Sequence, residues 1–153
     1  MSPEVWFAVP LGLAASLQDV LRRRVSNWIP ATLLAGGILW QGLQHSWRGA
    51  AAALLGAAAG FAIFLVFYLL GKMGGGDVKL MAGFGALLGA ASVPQAAFWT
   101  AISGALWAGA YLGIRALGRR RRTEGETAES IPYAPSITLG AWLALLTKAG
   151  GTH

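Results

Sequence analysis

Long gaps between charged residues constrain this chain more than anything else in it. Between Arg24 and Arg48 lie 23 uncharged positions, between Arg48 and Lys72 another 23, and between Lys79 and Arg115 there are 35. A bilayer span needs about 20 mostly apolar residues. Two of the gaps therefore suit one transmembrane helix each, and the third suits two. That third gap is best divided at Ser92-Val93-Pro94-Gln95, where proline and polar residues favour a turn. Shorter apolar stretches near each end complete an all-α, polytopic membrane chain. The expected transmembrane helices number about six, near residues 5–21, 28–44, 50–71, 78–93, 96–117 and 136–150. Composition agrees, with 56% hydrophobic and 12% charged residues where a soluble domain has about 45–50% and about 25%. Residues 1–153 are expected to form a single membrane-embedded domain.

Basic residues orient the helices, because Lys and Arg accumulate in short cytoplasmic loops. With the N-terminus outside, Arg22, Arg23, Arg24, Lys72, Lys79, Arg115 and Arg119 to Arg122 all face inward, and only Arg48 and Lys148 face outward. Both termini are thus expected on the outer, non-cytoplasmic side of the membrane. The formal charge of +6 becomes a cytoplasmic-face signal and not a nucleic-acid footprint. Trp6, Trp40, Trp47 and Trp99 fall near the outer boundary and Trp28 near the inner one, as interfacial anchors do. The first apolar segment has no basic residue before it, so an uncleaved first helix is expected and not a secretion signal. Gly56 with Gly60, Gly85 with Gly89, and Gly109 with Gly113 are small-xxx-small pairs assigned to helix packing. The hydrophilic stretch near 118–135, four arginines followed by Glu124, Glu126 and Glu129, is expected as a charged cytoplasmic loop beside anionic headgroups.

Any chemistry must come from few residues. Cysteine is absent and the histidines, His45 and His153, are solitary. Disulfide scaffolds, thiol nucleophiles and Cys-based zinc sites are excluded, and no metal or cofactor is expected. Apart from Glu4 and the loop glutamates, the acidic residues are Asp19, before the Arg22-Arg23-Arg24 exit, and Asp77, after Gly74-Gly75-Gly76. Both fall at the cytoplasmic boundary, where an ionisable group at a membrane helix end is a functional suspect. Two structural readings stand beside this one: Asp77 as a helix N-cap, and Asp19 paired with Arg22 or Arg23. Functionally, two carboxylates sharing a proton can activate water and protonate a leaving amine, which is aspartic peptide hydrolysis. Glycines beside such a pair permit unusual dihedrals and close approach of a substrate backbone. The run lacks the Gly-Lys-Ser/Thr ending of a phosphate loop. A small proton-coupled transporter or channel subunit using the acids as a relay is the alternative of another class. Transport sites, however, tend to lie nearer the bilayer midplane.

Three segments together resemble the type IV prepilin peptidases, membrane aspartic proteases of the GxGD class. Asp19-Val20-Leu21-Arg22-Arg23-Arg24-Val25-Ser26-Asn27 resembles the first motif, an aspartate, a basic run and Ile-Pro-Asn. Gly74-Gly75-Gly76-Asp77-Val78-Lys79-Leu80 resembles the second, Gly-x-Gly-Asp-x-Lys-Leu. Ile131-Pro132-Tyr133-Ala134-Pro135 resembles the Pro-x-x-Pro segment that opens the last helix. The resemblance implies that Asp19 and Asp77 are the catalytic pair, with Gly74, Gly75, Gly76, Lys79, Asn27, Pro132 and Pro135 supporting or contacting substrate. The implied substrate is a prepilin-like protein whose short basic leader is removed at the cytoplasmic face; a preflagellin or another GxGD substrate is the alternative within this chemistry. Ser26 stands where the family usually has proline, which implies a looser turn into the second helix. The cysteine-bearing insert of the bifunctional, N-methylating members is missing, as in the peptidase-only type of tight-adherence pilus systems. The substrate's identity and the oligomeric state are not encoded in these motifs.

Overall fold

The computed structural model describes residues 3–22, 25–70, 73–117 and 133–150. These form α1 (Pro3–Arg22), α2 (Trp28–Leu69), α3 (Gly75–Leu88), a 3-10 turn (Ala90–Ser92), α4 (Val93–Leu117) and α5 (Ala134–Gly150), with no strand among the described residues. Large apolar side chains such as Leu39, Leu43, Leu55 and Leu106 cover the outside. That is the surface expected where the surrounding solvent is lipid. By length and composition Trp28–Leu69 suffices to cross a membrane, and the bent pair Gly75–Leu88 with Ala90–Ala110 passes the same test jointly.

The 42 residues of α2 are not one straight helix. His45 and Ser46 leave helical geometry, Ser46 with φ 58°, and divide it into limbs 28–44 and 47–69. In a continuous helix Gly49 would lie about 12 Å along the axis from Gln41. Instead a Cβ on Gly49 would collide with the Gln41 carbonyl, so the second limb folds back on the first. Leu34 and Ile38 of one limb pack with Ala53 and Ala57 of the other. The chain thus turns between the helices expected at 28–44 and 50–71.

Both ends of α3 differ from the sequence expectation. Instead of starting near residue 78, α3 begins at Gly75, with Gly74 as its N-cap. It also ends early, at Gly89 with φ +76°, and the chain then bends by 120°. The turn therefore falls at Gly89 and not at Ser92-Val93-Pro94-Gln95. Left-handed backbone at that position suits glycine, whereas Pro94 lies in the first turn of α4, where its missing N–H leaves no helical bond unmade. Buried Gln41 explains how α3 can stop there. Its Nε2 donates to the carbonyls of Ala86 at 2.6 Å and Leu87 at 3.1 Å, groups that a helix end leaves without partners.

Packing centres on α3 and α5. Leu80, Met81, Phe84 and Leu87 of α3 are fully buried, mostly against α2. Gly56 and Gly85 meet backbone to backbone, and Gly60 lies on the Met81 carbonyl, so these small residues perform the packing assigned to them. Among the described residues Gly109 and Gly113 meet no other helix: beyond their own helix backbone, nothing lies within 4 Å of a Cβ built on either. The other seam joins α5 to α1 and α4. Along α1, the Ser16 hydroxyl donates to the Thr138 hydroxyl at 3.1 Å, Thr138 donates to the Gly12 carbonyl at 3.3 Å and the Trp142 indole to the Ala8 carbonyl at 3.4 Å. Polar links of this kind hold helices together where the surroundings are equally apolar.

Candidate active site

At the end of α1 and the start of α3 the fold forms a half-open cavity of about 310 Å³. Asp19, Val25, Asn27, Gly74, Gly75, Gly76, Asp77 and Lys79 line it. Seven of these eight residues are sequence candidates; Val25, from the middle of the first motif, is the addition. Both aspartates are buried, with 8% of Asp19 and 7% of Asp77 exposed. Two carboxyl groups withdrawn from water into one cavity are a costly arrangement for a fold to keep.

Each acid is held by a different device. Asp77 is the third residue of α3, not its N-cap, so the structural reading of it as a cap does not hold. Its amide donates to the Gly74 carbonyl at 3.1 Å, and the Gly74 backbone also hydrogen-bonds its carboxyl, which holds the side chain at the first turn. Asp19 lies in the last turn of α1, and its Oδ2 accepts the Ala134 amide at 3.0 Å. Ala134 opens α5, whose first-turn donors have no helical partners. Pro135 follows it without an N–H, and Ile137 closes the first helical bond to the Tyr133 carbonyl at 3.1 Å. The carboxylate of Asp19 therefore caps a helix 115 positions away in sequence. This contact was not legible in the sequence, beyond a Pro-x-x-Pro segment marking a helix start. Pro132 lies outside the described residues, as do Arg23, Arg24, Lys72 and the stretch 118–130.

Lys79 gains a defined contact: its Nζ donates to Asn27 Oδ1 at 3.1 Å. Asn27 precedes α2, yet its side chain makes no cap hydrogen bond, so the amide oxygen serves the cavity rim and not the helix. This bond ties the start of α2 to the first turns of α3. Ser26 is tied as well, its amide donating to Gln18 Oε1 at 3.0 Å. Proline has no such donor, so Ser26 anchors the turn to α1 beside Asp19 where a looser turn was expected. The glycines also act differently from expectation. Gly74 has an ordinary extended conformation, and Cβ atoms on Gly74, Gly75 or Gly76 would meet neighbours no closer than 3.6 Å. Their contribution is open space beside the acids, not unusual dihedrals.

Residues 6–109 match the type IV leader peptidase family. A prepilin leader peptidase/N-methyltransferase of Bacillus subtilis (strain 168) is 38% identical over 97 residues, 62% of this chain and 36% of that protein. The proteins of that name from Aeromonas hydrophila and Aeromonas salmonicida (strain A449) are 29% and 31% identical over 141 residues, 88% of this chain and 46% and 45% of theirs. The chain spans less than half the length of these curated relatives. No solved structure matches it.

Proposed function

The chain belongs to the type IV leader peptidase family, and from that membership we propose that it is a membrane-embedded aspartic endopeptidase that removes the short basic leader of prepilin-like proteins. In this reading residues 1–153 form one peptidase domain crossing the bacterial inner membrane about six times, both termini periplasmic, with the aspartate cavity at the cytoplasmic face. The observation that carries it is the burial of Asp19 and Asp77 in one cavity next to an open, side-chain-free glycine stretch.

Two carboxyl groups buried in one cavity can share one proton between them. The ionised member takes a proton from a water molecule as the water oxygen bonds to the scissile carbonyl carbon. The neutral member supplies the proton that the departing amide nitrogen needs when the C–N bond breaks. One water is consumed, an acid and an amine are released, and the pair again holds a single proton. The Ala134 amide orients Asp19, and the glycines let a substrate backbone reach the acids. A substrate with its apolar segment in the bilayer and its basic leader in the cytoplasm presents the scissile bond at this depth.

Replacement of either aspartate by asparagine tests the pair. Asp19→Asn and Asp77→Asn each abolish leader cleavage while the protein accumulates in the membrane, and the double variant is no worse than either single one, because the two act as a unit. Glu124→Gln, Glu126→Gln and Glu129→Gln retain near-normal cleavage. Full cleavage by a well-accumulated Asp19→Asn or Asp77→Asn protein overturns the proposal.

A further inference from the structure

A second cavity, of about 240 Å³, opens beside the first and shares Asn27 and Lys79 with it. Beyond those two residues its lining is entirely apolar. Pro30, Ala31 and Leu34 come from the first limb of α2, Phe61 from the second, and Ala82 with Gly83 from α3. The spacing 27, 30, 31, 34 is one face of a helix, and 79, 82, 83 is one face of another. The groove therefore lies between two helices, floored where they pack closely. A Cβ on Gly83 would come within 2.8 Å of the Leu33 Cβ and 2.9 Å of the Pro30 carbonyl. From Asn27 to Leu34 it extends about 10 Å along the helix axis, close to two helical turns.

We infer that this groove seats the first two turns, about seven residues, of the substrate's apolar segment after the scissile bond. The inference rests on the peptidase reading above, which leaves open where on the enzyme that segment lies. Three features choose the occupant. The groove is joined to the aspartate cavity at the Asn27–Lys79 bridge, so a chain leaving the acids passes over that one polar pair and then meets only apolar lining. It leads away from the cytoplasmic end along both helices, the direction an apolar segment must take if its leader stays in the cytoplasm. Its floor and sides at Ala31, Ala82 and Gly83 are small, which lets a helix backbone approach closely.

The experiment compares two synthetic peptides in liposomes containing the full chain. Both carry a short Lys-rich leader and the same cleavage site; one continues into an apolar segment of about 20 residues, and the other stops three residues after the scissile bond. Ala31→Phe and Ala82→Leu narrow the groove without touching the aspartates, and Ala101→Phe adds bulk to the exposed face of α4 as a control. Each groove variant loses at least tenfold more kcat/KM on the anchored peptide than on the short one, while Ala101→Phe shows no such selectivity. A photoreactive benzoylphenylalanine in place of Phe61, an aromatic side chain already lining the groove, in an Asp77→Asn background, crosslinks to the first seven residues after the bond. Equal losses on both peptides, no loss on either, or crosslinks to lipid alone overturn the groove while leaving wild-type cleavage, and so the peptidase reading, intact. Absence of cleavage of the anchored peptide by the wild-type chain overturns the peptidase reading and the groove with it.

Discussion

The Ala134 amide and the Asp19 carboxylate, 3.0 Å apart, are the most exacting contact at the residue scale. A hydrogen bond to a charged group contributes about 1.5–3 kcal/mol, so its loss lowers cleavage by roughly ten- to a hundredfold if Asp19 must be oriented. Proline is well accepted at the first position of a helix, so Ala134→Pro removes this donor; because Ala134 is fully buried, Ala134→Gly, which keeps the amide, serves as the control for disturbed packing. The expected outcome is a protein that accumulates normally and cleaves at least tenfold more slowly; unchanged rates in purified membranes dissociate the amide from catalysis. The Lys79–Asn27 bridge admits a separate check. Lys79→Met and Asn27→Ala each slow cleavage about three- to tenfold, and the double variant is no slower than the slower single one, since both remove the same bond. Losses that multiply show that the two residues act independently.

At the scale of elements, glycine positions decide how α3 lies. The meeting of Gly56 with Gly85 leaves no room for a Cβ, and overpacking of a close contact costs about 1–3 kcal/mol. Gly56→Ala or Gly85→Ala is therefore expected to lower the melting temperature in detergent by several degrees. Gly109→Ala and Gly113→Ala, with nothing within 4 Å among the described residues, leave it unchanged or raise it slightly by favouring helix. Equal melting temperatures for all four variants contradict the packing. Both kinds of pair read alike as small-xxx-small in sequence. The pattern records that a helix can be approached closely, but not whether another helix is there.

For the whole molecule, the asymmetry of ten basic residues to two makes a topological prediction. In this otherwise cysteine-free chain, Thr123→Cys reacts with a membrane-impermeant maleimide only after the inner face is opened; labelling of intact spheroplasts from the periplasmic side reverses the orientation. The absence of cysteine also bears on product chemistry. A prepilin processed by these 153 residues alone leaves with an unmethylated N-terminus, and a gain of one methyl group in its mass spectrum removes the peptidase-only assignment.

What the sequence by itself determined is one-dimensional: apolar runs long enough for helices, basic residues that sort their ends, and acids placed beside a glycine run and a proline pair. Hydrophobicity and charge act on each segment separately, so their pattern survives without knowledge of neighbours. Helical segments, the break between 44 and 50, and the candidates around Asp19 and Asp77 were legible for that reason. Only the tertiary structure decided that α3 stops at Gly89, because Gln41 of another helix donates to its last carbonyls. Likewise it decided that Asp19 caps α5, that Lys79 meets Asn27, and that an apolar groove opens beside the acids. Each of these pairs groups far apart along the chain, and their energies exist only once packing has brought the helices into contact.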